Sequence, residues 1–244
     1  FTNAVLKDKK LFANVIIHEK KNKILVVAAH PDDEAIGCGG TIAKHISSGD
    51  EVKVVFLSDG ESSRIDVKKN SIIRRKRNAI SSLKILGVKK TNIFFNNLPD
   101  NALDSIPIIK IARILENIKI SFKPNTVYTH FGNDLNVDHK AAYDATLIAF
   151  RPQPNETVKK IFCFEILSST DWSNNINYSF KPNYFVNIEN FFYKKIESIK
   201  AYKTEIKKEP HTRSIKNIKN LLSYRGMTCG KKYAEAFFIE RVID

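Results

Sequence analysis

The sequence predicts an α/β fold of the Rossmann-like kind: a mainly parallel sheet with helices on both faces, three layers in all. Three observations predict it. Short apolar runs alternate with helix-like stretches through the first two-thirds of the 244 residues, the signature of βαβ units and a parallel sheet. Right-handed crossovers then place the loops that follow the strands on one edge. Two dense polar clusters follow the first and fourth apolar runs, and ligands of such folds bind beyond the carboxyl ends of the strands.

The elements follow in order. Residues 23–29 form the first expected strand, apolar from Ile24 onward. Residues 40–48 read as a helix ended by Gly49-Asp50, and 51–57 as a Val-rich second strand. A polar loop with Gly60 leads to a helix over 66–86. There Ile72, Ile73, Ile80, Leu83 and Leu86 recur near helical spacing, and Gly87 suits the end. Residues 92–95 form a third strand. Residues 105–120 form a helix with Ile108, Ile111, Ala112, Leu115 and Ile118 on one side. Residues 126–130 give a fourth strand and 138–150 a helix. The pattern then loosens, with strands expected at 160–167 and 184–188 and helices at 191–207 and 214–223. We read residues 1–244 as one domain, with 152–244 as its flank and substrate lid.

Composition excludes several classes. Hydrophobic residues make up 43%, against disorder, and no apolar run approaches the roughly 18 residues that span a bilayer. Residues 1–23 lack a signal-peptide layout, although the chain does not begin with Met. Cys38, Cys163 and Cys229 are odd in number and widely spaced, so they read as small hydrophobes of a protein in the reducing cytoplasm. The net charge of +14 points towards anionic partners. Its Lys pairs are dispersed, with one denser cluster at Arg74-Arg75-Lys76-Arg77, and no RNA-binding or zinc-finger signature accompanies them. This reads as a solvated surface, compatible with an anionic substrate or peripheral membrane contact, and against specific nucleic-acid binding.

The chemistry concentrates in two places. His30-Pro31-Asp32-Asp33-Glu34 follows the first strand and precedes Gly37-Cys38-Gly39-Gly40. Thr129 to His139 follows the fourth, with His130, Asn133, Asp134, Asn136 and Asp138. A catalytic zinc takes three protein ligands and keeps a position open. His30 and Asp33 share one turn, His139 can complete the set, and Asp32 can serve as general base. Taken singly, each residue has a plainer reading. Asp32 or Asp33 could cap a helix, Glu34 could favour its dipole, and His18, His45 and His211 have no acidic company at ligand spacing.

These motifs resemble the signature of the PIG-L/LmbE family of zinc-dependent de-N-acetylases. Ala29 to Glu34 with Gly37 to Thr41, and Asp134 to His139, are the specific segments. Ser58-Asp59-Gly60 with Arg64, Leu98-Pro99-Asp100-Asn101 and Tyr233 to Phe237 fall in the family's order. Glu165 to Thr170, Pro210-His211 with Arg213-Ser214, and Arg225-Gly226 resemble bacterial members tied to amino-sugar and surface-polysaccharide metabolism. The resemblance implies an LmbE-like fold with zinc on His30, Asp33 and His139 and with Asp32 as base. It implies a hydrolase that removes an N-acetyl group from a free, lipid-linked or nucleotide-linked amino sugar. Many members carry a His where this chain has Asn136. An Asn amide can hydrogen-bond an oxyanion but cannot donate a proton, so protonation of the leaving amine falls to Asp32 or to His130. Asp138 either orients a His ligand or caps the helix. Arg64, Arg151, Asp100, His211 and Arg213 are the candidate substrate contacts.

Two rival readings share these residues. Two His and a carboxylate also describe non-haem iron oxygenases, but those sites usually sit in β-rich barrels. A nucleotide-sugar binding protein would need a Gly-rich phosphate loop, whereas this first turn carries acids where a pyrophosphate would sit.

Overall fold

The computed structural model describes residues 21–65, 69–173 and 178–244. Seven strands form one sheet in the order β3-β2-β1-β4-β5-β7-β6. β1 (Lys23–Ala28), β2 (Glu51–Ser58), β3 (Ile93–Leu98), β4 (Thr126–His130) and β5 (Lys160–Phe164) run parallel to one another. β7 (Ala234–Val242) lies antiparallel between β5 and β6 (Tyr184–Asn187). The sequence suggested no strand at β7.

Both faces of β1 are buried, which explains its unbroken apolar run. Ile24, Val26 and Ala28 face one core, shared with Ile42 of α1 (Asp33–Ser47), Leu83 of α2 (Lys69–Leu86), Ile196 of α5 (Phe192–Lys200) and Ile218 of α6 (Ile215–Thr228). Leu25, Val27 and Ala29 face the other, with Ile111 and Leu115 of α3 (Ile108–Phe122) and Ala142 and Ala145 of α4 (Val137–Ala149). The expected three layers follow from this alternation.

From β1 the chain builds outward to β2 and β3, then returns to lay β4 on the other side of β1. The loops after β1 and β4 therefore diverge around a crevice, the topological switch point where open α/β sheets take ligands.

Several boundaries differ from expectation. α1 starts at Asp33 rather than 40, because its Gly-rich run is helical and pressed against the sheet. A Cβ on Gly37 would sit 2.5 Å from the Phe164 ring, and one on Gly40 2.8 Å from Ile188. The helix kinks at Cys38 (φ −142°, ψ 22°). Pro107 caps α3, so that helix begins at Ile108, after a short turn over Leu103–Ser105. β5 ends at Phe164 and α5 at Lys200, earlier than expected, and α6 runs on to Thr228. Ile73, expected on the packed face of α2, is 40% exposed. Residues 66–68 and His18 lie outside the described residues. Among the described residues no helix is long and apolar enough to cross a membrane.

Candidate metal centre

The turn after β1 folds on itself. The His30 amide donates to Asp33 Oδ2 at 2.8 Å, and His30 Nδ1 lies 3.2 Å from the same oxygen. The other ring nitrogen, Nε2, contacts Asp138 Oδ2 at 2.9 Å. Asp138 also accepts from the amides of Asn101 (2.8 Å) and Leu103 (2.9 Å), which pins the loop after β3 to the start of α4. An acceptor at Nε2 places the proton there and leaves the Nδ1 lone pair for a metal.

The loop after β4 supplies the second half. Asn136 caps α4, its Oδ1 accepting from the Asp138 amide at 2.8 Å. This frees Asp138 from the capping role and presents His139 one turn in. Asp134 holds His139 Nδ1 at 3.1 Å and is itself held by Ser169 and Thr170 from the segment after β5. His139 Nε2 then lies 3.5 Å from Asp33 Oδ1.

Donor atoms of His30, Asp33 and His139 all lie within 4.8 Å of one another. His139 Nε2 and Asp33 Oδ1 are buried without a hydrogen-bond partner. Two such atoms side by side are costly unless something joins them, and two imidazoles with one carboxylate are a donor set for a divalent transition metal. These residues fit one. His30, Asp100 and Asp138 also come together, but both Asp138 oxygens are already engaged by amide N–H groups.

Electrostatics agree with a site built for charge. Against the cost of burial, hydrogen bonds to Asp138 and Asp33 push the His30 imidazole up to about 10. Against burial, the adjoining His139 and His130 rings hold the Asp33 carboxyl well below the usual range. Asp134 lies at about 2, burial being outweighed by His139, Ser169 and Thr170.

Asp32 stands beside this centre. Its Oδ2 accepts from Arg213 Nη1 at 2.9 Å, and its Oδ1 lies 3.1 Å from Arg75 Nη2. Burial raises its pKa, and the two guanidinium groups oppose that. Glu205 pairs with Arg75, and Arg64 Nη2 donates to both of its carboxylate oxygens, at 3.0 and 3.1 Å. Above these residues opens a cavity of about 290 Å³, lined by His30, Asp32, Asp100, Asn136, His139 and Arg213 among others.

A family model described as "PIG-L: GlcNAc-PI de-N-acetylase" matches residues 25–150, more than half of the chain. The chain belongs to the PIG-L family. Its similarity to an uncharacterized deacetylase, YaiS, of Escherichia coli (strain K12) is 29% identity over 201 residues, covering 81% of this chain and 100% of that one. With the diacetylchitobiose deacetylase of Thermococcus kodakarensis it shares 27% over 227 residues, covering 87% of this chain and 81% of the relative. The fold matches the crystal structure of the N,N'-diacetylchitobiose deacetylase of Pyrococcus horikoshii with a TM-score of 0.71 at 23% identity, over 90% of this chain and 84% of that one.

In this PIG-L chain the crevice gathers His30, Asp33, His139, Asp32, Asn136, Asp100, Arg64 and Arg213, with Asp138 behind His30. Three residues expected at the site do not line its cavity. Arg151 follows the far end of α4, about half exposed, with its nearest acid, Glu116 of α3, at 3.9 Å. α4 starts at the crevice and carries its C-terminus away, so Arg151 is not brought to it. His130 is fully buried behind the centre. It stacks on His139 with ring centroids 4.0 Å apart, and its Nε2 accepts from the Ala29 amide at 2.9 Å. It does not line the cavity, and burial and the neighbouring His139 push its pKa down to about 4. His211 lies outside the cavity lining, its Nδ1 accepting from the Arg213 amide at 3.0 Å.

Arg75 is the residue that sequence reasoning missed. Its cluster reads as solvated surface, yet Arg75 is 3% exposed and meets Asp32. The signal lay in register: Ala79, Ser82 and Leu86 continue its stripe along the buried side of α2. Glu205 carried no comparable signal, because the turn that brings it in follows the unforeseen end of α5.

Proposed function

We propose that this chain is a divalent-metal N-deacetylase, zinc the preferred ion, that hydrolyses the acetamide of an amino sugar to acetate and a free amine. One observation carries the reading: two unpartnered buried donor atoms, Asp33 Oδ1 and His139 Nε2, lie 3.5 Å apart within the His30, Asp33 and His139 cluster, beneath a cavity that also holds the Asp32 carboxylate. Family membership and the diacetylchitobiose deacetylases among the relatives support the substrate class.

His30, Asp33 and His139 would hold the ion. When bound, it supplies Lewis acidity that polarises the amide carbonyl and strengthens water as an acid. Asp32 takes the proton as the water oxygen bonds to the carbonyl carbon. Asn136 Nδ2 donates one hydrogen to Asn101 Oδ1 at 3.0 Å, and its second N–H donates to the developing oxyanion. As the carbon–nitrogen bond breaks, Asp32 returns its proton to the amine nitrogen, because His130 lies too deep to do so. Arg75 and Arg213 fix Asp32 from two sides. The stretch 205–214, within the expected flank and lid, forms the substrate-side wall through Glu205 and Arg213, and Arg64 and Asp100 take sugar hydroxyls.

The test is acetate release from a panel of N-acetylated amino sugars, free, lipid-linked and nucleotide-linked, each with and without a chelator. Release that a chelator abolishes and zinc restores is the expected result. Release that survives verified metal removal would overturn the metal assignment.

A further inference from the structure

The chain has one tryptophan, and the mechanism above does not use it. Trp172 is 46% exposed, a large side chain left partly in water where burial is the norm. It ends a short helical turn, Thr170–Trp172, whose base is tied to the metal centre. Ser169 Oγ lies 3.3 Å from His139 Nδ1, and Thr170 Oγ1 donates to Asp134 Oδ2 at 2.6 Å. The Trp172 amide donates to Ser169 O at 3.2 Å, so the indole is carried on anchored backbone. Beside it stands His211, ring centroids 5.6 Å apart and planes 60° to each other. Because His211 Nδ1 accepts from the Arg213 amide, a neutral imidazole carries its proton on Nε2, as a donor at the rim.

We propose that Trp172 and His211 form a second sugar subsite, which receives the pyranose linked to the one that carries the acetamide. A pyranose offers an apolar face of C–H groups and an edge of hydroxyls. An indole face with an N–H donor set at an angle to it complements both. Position decides which ring binds here. Arg213, two residues from His211, lines the cavity and reaches Asp32, while neither Trp172 nor His211 lines it, so the pair stands beside that cavity and outside it, where the next ring of a glycoside lies. The inference rests on the amino-sugar reading of the metal centre and names its substrate as a glycoside of at least two rings.

The single tryptophan makes the subsite observable without a variant. The wild-type holoenzyme is mixed with N,N'-diacetylchitobiose or with N-acetylglucosamine, and emission is read before product accumulates. The disaccharide shifts the emission saturably and the monosaccharide leaves it at baseline. Kinetics supply the second readout, the ratio of kcat/KM for the disaccharide over the monosaccharide. That ratio falls about tenfold in Trp172→Ala, the scale of one aromatic contact, and Trp172→Phe largely restores it. Emission unmoved by saturating disaccharide, or a ratio unchanged in Trp172→Ala, overturns the proposal. If neither sugar releases acetate, these free sugars are struck from the substrates of the deacetylase reading. Emission still decides the subsite in that case, a disaccharide-specific shift supporting it and a flat response overturning it.

Discussion

Asp32 sits at φ 138° and ψ −26°, a conformation L-residues rarely adopt and one that costs about 1–3 kcal/mol. Its neighbours hold it there. Its amide donates to Glu34 Oε2 at 3.0 Å, and its carbonyl accepts from the Ala35 and Ile36 amides. Glu34 is in turn fixed by the Tyr202 hydroxyl at 2.6 Å, with burial pushing its carboxyl up to about 8. The strain aims the carboxylate at the cavity. Asp32→Asn keeps the size of the side chain but loses the proton acceptor and one of its two guanidinium contacts, so it should still bind metal while turnover falls about 10²–10⁴-fold. Wild-type turnover in a metal-loaded Asp32→Asn protein would remove Asp32 from the mechanism. Arg75→Leu should act on the fold as well. It leaves Asp32 with Arg213 alone and Glu205 and Glu61 with Arg64 alone, and losing the buried partner of such a network costs roughly 3–5 kcal/mol. Urea unfolding reads that cost, and a loss below 1 kcal/mol would mean that Arg75 is bystander charge. The contrast between these residues shows what a sequence can carry. His30, Asp32 and Asp33 are legible because residue type and strand end coincide. Arg75 is harder to read, because in a basic cluster only its register with Ala79, Ser82 and Leu86 sets it apart from the exposed arginines beside it.

α1 shows the same limit among elements. Past its kink the helix starts afresh, and the amides of Gly40 and Thr41 need acceptors. They find them on β7, where Glu235 accepts from Gly40 N at 2.8 Å and Thr41 N at 2.6 Å. Lys195 of α5, 1% exposed, pairs with the same carboxylate and donates to Ile36 O at 2.6 Å. One buried ion pair thus joins the first helix, the fifth helix and the last strand. Glu235→Gln keeps an acceptor for the amides but strands the Lys195 charge, and should cost about 3–5 kcal/mol. Adding Lys195→Met removes the stranded charge and should recover most of that loss in urea unfolding. A double variant no more stable than Glu235→Gln would show that Lys195 is not stranded by the first change. Periodicity revealed β1 to β4 because each is a compact apolar run beside a helical one. It could not reveal β7, whose neighbours in the sheet, β5 and β6, both precede it by long stretches of chain, and whose Glu235 reads as polar although it is 2% exposed.

At the scale of the molecule, the switch point makes two separate loops into one site, since β1 and β4 are neighbours while their loops diverge. The dense clusters after the first and fourth apolar runs could be matched from sequence alone, because parallel order fixes which strand ends share an edge. Of the wall that Glu205 and Arg213 add, only Arg213 could be singled out from the sequence, since turns without periodicity set its course. A metal held by His30, Asp33 and His139 would therefore cross-link the two sides of the crevice, and a ligand that binds only the folded state stabilises it by mass action. At a free metal concentration about 100-fold above its dissociation constant the gain is about 2.7 kcal/mol, which for a chain of this size shifts Tm by roughly 5–10 °C. Chelation should lower Tm by that amount, and added zinc should restore it. His139→Ala should lose the response while staying folded, because the fourth strand and α4 do not depend on its imidazole for their hydrophobic packing. If Tm is indifferent to verified metal removal, the unpartnered atoms of Asp33 and His139 are not a metal site, and the base at Asp32 must act on an amide held by the chain alone.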